Sequence, residues 1–167
     1  MVHKKYSSGF TIVELLIVIV VIGILAAIVI IAYQGVSARA KTSQSQATAS
    51  AAVKKAEAFN AEKAAYPVIS TDLTGAAASG TSYYLTGATF VAAMGTTPPA
   101  SAASLTFYKC GTGATPTPAP STVAGITTVT GDKIEYFNFT STSTNYLSAG
   151  TTSGSVGAYS VGCAVNN

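Results

Sequence analysis

The sequence predicts an α+β protein in which one long N-terminal helix, hydrophobic in its first half, precedes a roughly four-stranded antiparallel sheet. Three observations carry that prediction. From Leu15 to Ala32 there are 18 consecutive residues without a charged or strongly polar side chain. From Tyr33 to Ala65 the chain is rich in Ala, lacks Pro and has a single Gly, Gly35. After Pro67 the composition shifts to Gly, Ser, Thr, Ala and Pro, interrupted by short β-branched and aromatic runs.

The first run decides the most. An 18-residue helix is roughly 27 Å long at 1.5 Å per residue, close to the ~30 Å of a bilayer core, so this segment is long enough to span a membrane. Extending it back to Phe10 adds only Thr11 and Glu14 as polar interruptions, and Glu14 is the one charged side chain between Lys5 and Arg39. Lys4 and Lys5 flank one end, Arg39 and Lys41 the other, so flanking charge alone does not orient the span. The longer side carries both cysteines and the Ser/Thr-rich sequence, which suits an extracytoplasmic location. A cleavable secretory signal has its small-residue cleavage site after the apolar region. Here the small residue, Gly9, precedes it, and a cut there leaves the apolar helix on the mature chain.

In the second segment Val53, Ala56 and Phe59 form one stripe at helical spacing, and Ala47, Ala51 and Ala58 another on roughly the opposite side. Both faces are candidates for contact, the second because small side chains let neighbouring helices approach closely. The simpler reading of the second stripe is that Ala favours helix. Tyr66-Pro67 is the expected stop, because the residue before proline is pushed out of the α region. Beyond it, Asp72 to Pro99 reads as an irregular connection with one short helix. The strand candidates are Ser104 to Cys110, Ile126 to Thr130, Lys133 to Thr140 and Ala158 to Val165. Gly131-Asp132 is expected as a tight turn and Thr115 to Ser121 as an exposed extended loop.

Composition narrows the function. Of 167 residues, 49% are hydrophobic and 9% charged, with 18 Ser and 23 Thr supplying much of the polarity. The charged share is far below the roughly 25% of ordinary soluble domains, which argues against a cytosolic enzyme. The net charge of +3 falls to +1 without Lys4 and Lys5, and no basic cluster interleaved with aromatics supports nucleic-acid binding by the chain itself. The only histidine is His3, in the leading segment, so the rest offers no Ser/His/Asp, Cys/His or His-based metal set. The chain is therefore read as non-enzymatic, with no cofactor and no metal. Asp132 and Glu135 read as two acids solvating a turn rather than as a Ca²⁺ site. Asn138-Phe139-Thr140 matches a glycosylation sequon, but falls in an expected strand and is read as chance. Tyr83-Tyr84 and the Thr/Pro loop are candidates for an adhesive or O-glycosylated surface, against ordinary surface packing.

Lys4-Lys5, then Gly9-Phe10-Thr11-Ile12-Val13-Glu14-Leu15-Leu16, then an apolar helix, resembles the type IV prepilin signature of type IV pilins and of the pseudopilins of type II secretion. The resemblance is specific over residues 4 to 33 and only architectural beyond the long helix. It implies cleavage by a prepilin peptidase between Gly9 and Phe10 on the cytoplasmic side, with N-methylation of the new Phe10 terminus. It implies the pilin fold, in which the C-terminal half of the helix packs on the sheet. The implied boundaries are a leader at 1–9, a transmembrane and polymerisation helix at 10–33, an amphipathic helix half at 34–66, a connecting region at 67–103 and a sheet region at 104–167.

Each motif position has a physical reason. Lys4 and Lys5 hold the leader at an anionic cytoplasmic face, and Gly9 presents no Cβ where a peptidase must reach the backbone. An ionisable side chain within a membrane helix is a functional hypothesis by default, and in the family Glu14 would recruit the terminal amine of a neighbouring chain. A competing role for Glu14 is to favour the helix N-terminus through the dipole. The proline many pilins carry further along this helix is replaced by Ile31, leaving Gly23 and Gly35 as weak points.

Cys110 and Cys163, in a low-charge extracytoplasmic region, are expected to pair, with two buried free thiols as the alternative. The pair resembles the disulfide-bounded C-terminal region of many pilins and favours these over major pseudopilins. The resemblance thus implies a pilus subunit that waits in membrane lipid and polymerises with copies of itself through the inner-membrane assembly machinery and its ATPase. The resulting surface filament would serve adhesion, twitching motility or DNA uptake, touching a host surface or DNA. The alternatives are a pseudopilin or minor pilin and, from a different class, a membrane-anchored binding module that never polymerises.

Overall fold

The computed structural model describes residues 9–92, 94–112, 128–152 and 163–165. Its elements are α1 (Ile12–Lys63), α2 (Thr71–Thr74), a 3₁₀ turn (Ala76–Ala78), β1 (Thr89–Phe90), β2 (Ser104–Thr112), β3 (Thr128–Asn138), β4 (Ser143–Gly150) and β5 (Cys163–Val165). The chain divides into two compact units, Met1–Ser37 and Ala38–Asn167.

In the first unit every large apolar side chain from Phe10 to Val36 is exposed. This part of α1 is long and apolar enough to cross a membrane. No Pro interrupts it, and a Cβ built on Gly23 or Gly35 would meet nothing within 4 Å, so neither glycine answers to a packing demand here.

In the second unit the remainder of α1 packs on the sheet through its smallest side chains. Ser45, Ala49, Ala52 and Ala56, spaced i, i+4, i+7 and i+11, are buried and therefore share one helix face. The three alanines share one core with Leu105 and Phe107 of β2, Ile134 and Tyr136 of β3, Ala149 of β4, and Leu73, Ala78, Tyr83 and Leu85 of the connecting segment. Small residues let the helix backbone come close to the sheet, and the large side chains come from the other partners. Val53 and Phe59 line the margin of this core, with Phe59 edge-on to Tyr83 at 4.9 Å between ring centroids. Of the second expected stripe, Ala51 and Ala58 are half-buried and Ala47 is exposed.

The helix ends at Lys63, and Ala64 turns to φ +54° while its N–H still reaches Asn60 O at 2.8 Å. Tyr66-Pro67 then leads away. The connection holds one short helix and one 3₁₀ turn.

The sheet corrects the expectation of an antiparallel arrangement, because it is mixed. β2, β3 and β4 form an antiparallel core and β5 pairs antiparallel with β2, but β1 runs parallel to β2, with Thr89 opposite Ser104. Since β3 occupies one edge of β2, the two short strands share the other, β1 near its start and β5 near Tyr108 to Cys110.

A second correction concerns Gly131-Asp132. In place of two strands and a turn there is one strand, β3, and both residues lie inside it, paired with Cys110 and Lys109 on one side and Gly150 and Ala149 on the other. A Cβ on Gly131 would fall 2.4 Å from Ala149 O, so glycine serves close strand approach here rather than chain reversal. The reversal comes later, at residues 139–142, where Asn138 Oδ1 accepts the N–H groups of Thr140 and Ser141 and Thr142 adopts φ +51°. The helix holds this turn: Thr42 Oγ1 accepts the Phe139 N–H at 3.0 Å, and Lys41 Nζ lies 5.7 Å from the Phe139 ring. Residues 115–121 of the expected loop, and 126, 127 and 158–162 of the expected strands, lie outside the described residues.

Ala52 and Ala47 separate packing from helix propensity. Ala52→Leu forces a larger side chain into the helix–sheet contact and is expected to destabilise by about 1–3 kcal/mol, whereas Ala47→Leu, on an exposed position, is expected to shift stability by less than about 0.5 kcal/mol. Thermal unfolding of the two detergent-solubilised variants checks this.

Candidate assembly and processing site

The residues singled out at the N-terminus meet at the start of α1. Gly9 and Phe10 precede the helix and are exposed, Phe10 at 85%, and a Cβ on Gly9 would touch nothing within 4 Å. Backbone on both sides of the Gly9–Phe10 bond is thus accessible among the described residues.

Thr11 occupies the position just before the helix, and Glu14 the third position inside it. Glu14 Oε2 accepts the Thr11 N–H at 2.9 Å and the Thr11 hydroxyl at 2.7 Å, and the Glu14 N–H donates to Thr11 Oγ1 at 3.2 Å. This is a reciprocal capping box, which satisfies two backbone donors that a helix start leaves without partners. The pattern Thr-x-x-Glu before an apolar run signals such a cap, yet reading Glu14 for its charge alone passed over it. Both bonds to the carboxylate use Oε2, and none of the hydrogen bonds among the described residues uses Oε1. The carboxylate therefore has one oxygen engaged with its own helix and one available to an incoming donor.

Elsewhere the structure separates what the sequence placed together. Asp132 and Glu135 do not solvate a turn: they sit on opposite faces of β3 and are 0% and 2% exposed. Glu135 accepts hydrogen bonds from the hydroxyls of Tyr108 (2.9 Å) and Tyr146 (3.0 Å). Burial, with the neighbouring Glu135, raises the pKa of Tyr108, and burial chiefly raises that of Tyr146. Among the described residues no three His, Cys, Asp or Glu side chains come together in a metal-holding group. The sequon straddles the end of β3 and the following turn, with Asn138 Oδ1 committed to the turn amides. Tyr83 is a core residue, not an adhesive surface. The loop from Thr115 to Ser121 lies outside the described residues.

Cys110 and Cys163 face each other across β2 and β5 and are joined by a disulfide, 53 residues apart in sequence. Both are buried with Tyr108 in a small cluster of their own. The bond ties the short strand β5 to the middle of the sheet.

Two features define the class: an N-terminal helix that exposes only apolar side chains from Leu15 to Ala32 after a capped, acid-bearing start, and a separately compact α+β unit. Residues 4–30 match the family model of the prokaryotic N-terminal methylation motif, the signature of type IV pilins and pseudopilins. The match covers Lys4, Lys5, Gly9, Phe10, Thr11 and Glu14, ends inside α1 and leaves the α+β unit uncovered. No solved structure matches the chain significantly. The motif supports a type IV pilin-like or pseudopilin protein with an N-terminal apolar helix able to serve as a membrane anchor, and the motif's family is structural rather than catalytic.

The disulfide yields a direct expectation. For a loop of this length, Cys163→Ser is expected to remove roughly 4 kcal/mol on the chain-entropy account, read as a lower unfolding midpoint under non-reducing conditions. A variant as stable as the parent would show that β5 is held by other contacts.

Proposed function

We propose that the chain is the structural subunit of a type IV pilus, anchored in the cytoplasmic membrane by Leu15 to Ala32 until it polymerises into a surface filament. The observation that carries this reading is Glu14: a single acid at the capped start of an exposed apolar helix, inside the matched methylation motif. A prepilin peptidase would cut between Gly9 and Phe10, removing residues 1–9, and the new Phe10 terminus would be N-methylated. The cut places a cationic amine one residue from the Thr11 N–H that Glu14 already accepts. Its own Glu14 or that of a neighbour can receive the amine, and the available Oε1 leaves room for the second without breaking the cap. Pairing between chains would set the axial stagger of the helices.

In this reading the anchor first lies in membrane lipid and is then covered by the same helix of other copies. Residues 34–66 join it to the sheet unit, formed by the connecting region 67–103 and the disulfide-bounded 104–167, which faces outward. The inner-membrane assembly machinery and its ATPase would drive the transfer, and adhesion, twitching or DNA uptake would be properties of the filament. The disulfide supports a pilin over a major pseudopilin.

Glu14→Ala tests the pairing. The variant is expected to reach the membrane at the parental level, since replacing an acid by Ala does not weaken an apolar span, while surface filaments fall sharply. Parental filament yield from Glu14→Ala would contradict the role given to this residue.

A further inference from the structure

Asp132 is the most unusual side chain in the α+β unit. It is 0% exposed, and neither of its carboxylate oxygens has a hydrogen-bond partner. A buried carboxylate with nothing to satisfy it is strongly disfavoured in its charged form. The surrounding charges do not relieve it. Glu57, on α1, accepts the Gly150 N–H (2.8 Å) and the Tyr66 hydroxyl (2.9 Å). Asp72, in α2, accepts the N–H groups of Val68 (2.7 Å) and Ile69 (3.0 Å). Lys109, directly opposite Asp132 on β2, is itself buried, and its pKa is lowered by that burial.

These contacts form one seam. Residues 66–72, leaving α1, are fastened by Glu57 and Asp72, and Tyr66 lies over Gly150, where a Cβ would fall 2.4 Å from its ring. Gly150 and Ala149 flank Asp132 across the β3–β4 ladder. The field at Asp132 therefore comes from two carboxylates, a half-buried phenol and a buried amine that does not reach it.

We infer that Asp132 is held as a neutral carboxylic acid and works as a proton-operated latch on the 66–72 segment. Protonated, it lets three acids sit along one seam. Ionised, it meets both the desolvation penalty and repulsion from Glu57 and Asp72, and the seam loosens. In agreement, burial first, then Glu57 and Asp72, push its pKa up from 3.8 to about 8. The folded state thus binds a proton that the unfolded chain releases at lower pH. Stability from this group is complete below about pH 4, declines as pH rises toward 8, and is flat above that.

The chain contains only two aspartates, Asp72 and Asp132, which makes the test clean. In full-length protein carrying ¹³C-carboxyl aspartate in detergent micelles, two carboxyl resonances are expected. The one absent in Asp132→Asn should titrate several units above the ordinary carboxylate range. Across the same range, Gly150 amide exchange should accelerate in the parent relative to Asp132→Asn, and the parent's thermal midpoint should fall while the variant's holds. Titration of Asp132 within the ordinary carboxylate range would overturn the inference. So would a lower midpoint for Asp132→Asn than for the parent at pH 8, which would identify Asp132 as an ionised partner of Lys109.

Discussion

A run of exposed apolar side chains from Phe10 to Val36, interrupted only by Thr11, Glu14, Gln34 and two glycines, cannot remain in water. Each large aliphatic side chain moved from water into an apolar setting contributes about 1.5–3 kcal/mol, so the sum over this run outweighs the few polar groups at its ends. Only two surroundings satisfy such a helix along its length: lipid, or other helices of the same character. The amide groups raise no objection to either, because an α-helix satisfies them internally. A capping box adds what the helix cannot supply for itself at its first turn, and it does so with the one charged side chain in the run. Glu14 thus has a structural task in the single chain, while leaving an oxygen for a partner.

The α+β unit answers to a different constraint, close approach. Its helix face is built from Ser45, Ala49, Ala52 and Ala56, and its strands come together where Gly131 and Gly150 have no side chain to obstruct them. With so little charge available, hydroxyls and a few buried acids take over the polar work. Thr42 secures the β3–β4 turn, Glu135 binds two tyrosines, and Glu57 and Asp72 fasten the segment that leaves the helix. Of the acids in this unit Asp132 and Glu135, both on β3, are buried, whereas Glu57 is exposed and Asp72 half-buried.

Parts of this were legible in the sequence for identifiable reasons. The helix announced itself by length and composition, its end by Tyr66-Pro67, and β2 by the dense run Ser104 to Cys110. β4 (Ser143–Gly150) was not, because on this edge strand only Ala149 is fully buried and the alternation is confined to Tyr146 to Gly150, where Leu147 and Ala149 are the inward residues. β1, two residues long, has no pattern to read. Gly131-Asp132 misled because the same dipeptide that favours a turn also suits a strand where another backbone comes close. At the candidate site, Gly9, Phe10 and Glu14 stood out as chemistry, but the cap linking Thr11 to Glu14 was present in the spacing and passed over. The burial of Asp132 had no local signal, since it depends on α1 and α2 coming from elsewhere in the chain.

The account rests on the apolar helix being released from its leader and then covered by copies of itself. Intact-mass and N-terminal analysis of the chain recovered from sheared surface filaments tests this most directly. The expected species starts at Phe10, carries one added methyl group and retains the disulfide. Recovery only from membranes as an unprocessed monomer that still carries residues 1–9, with no filament containing it, would contradict the account.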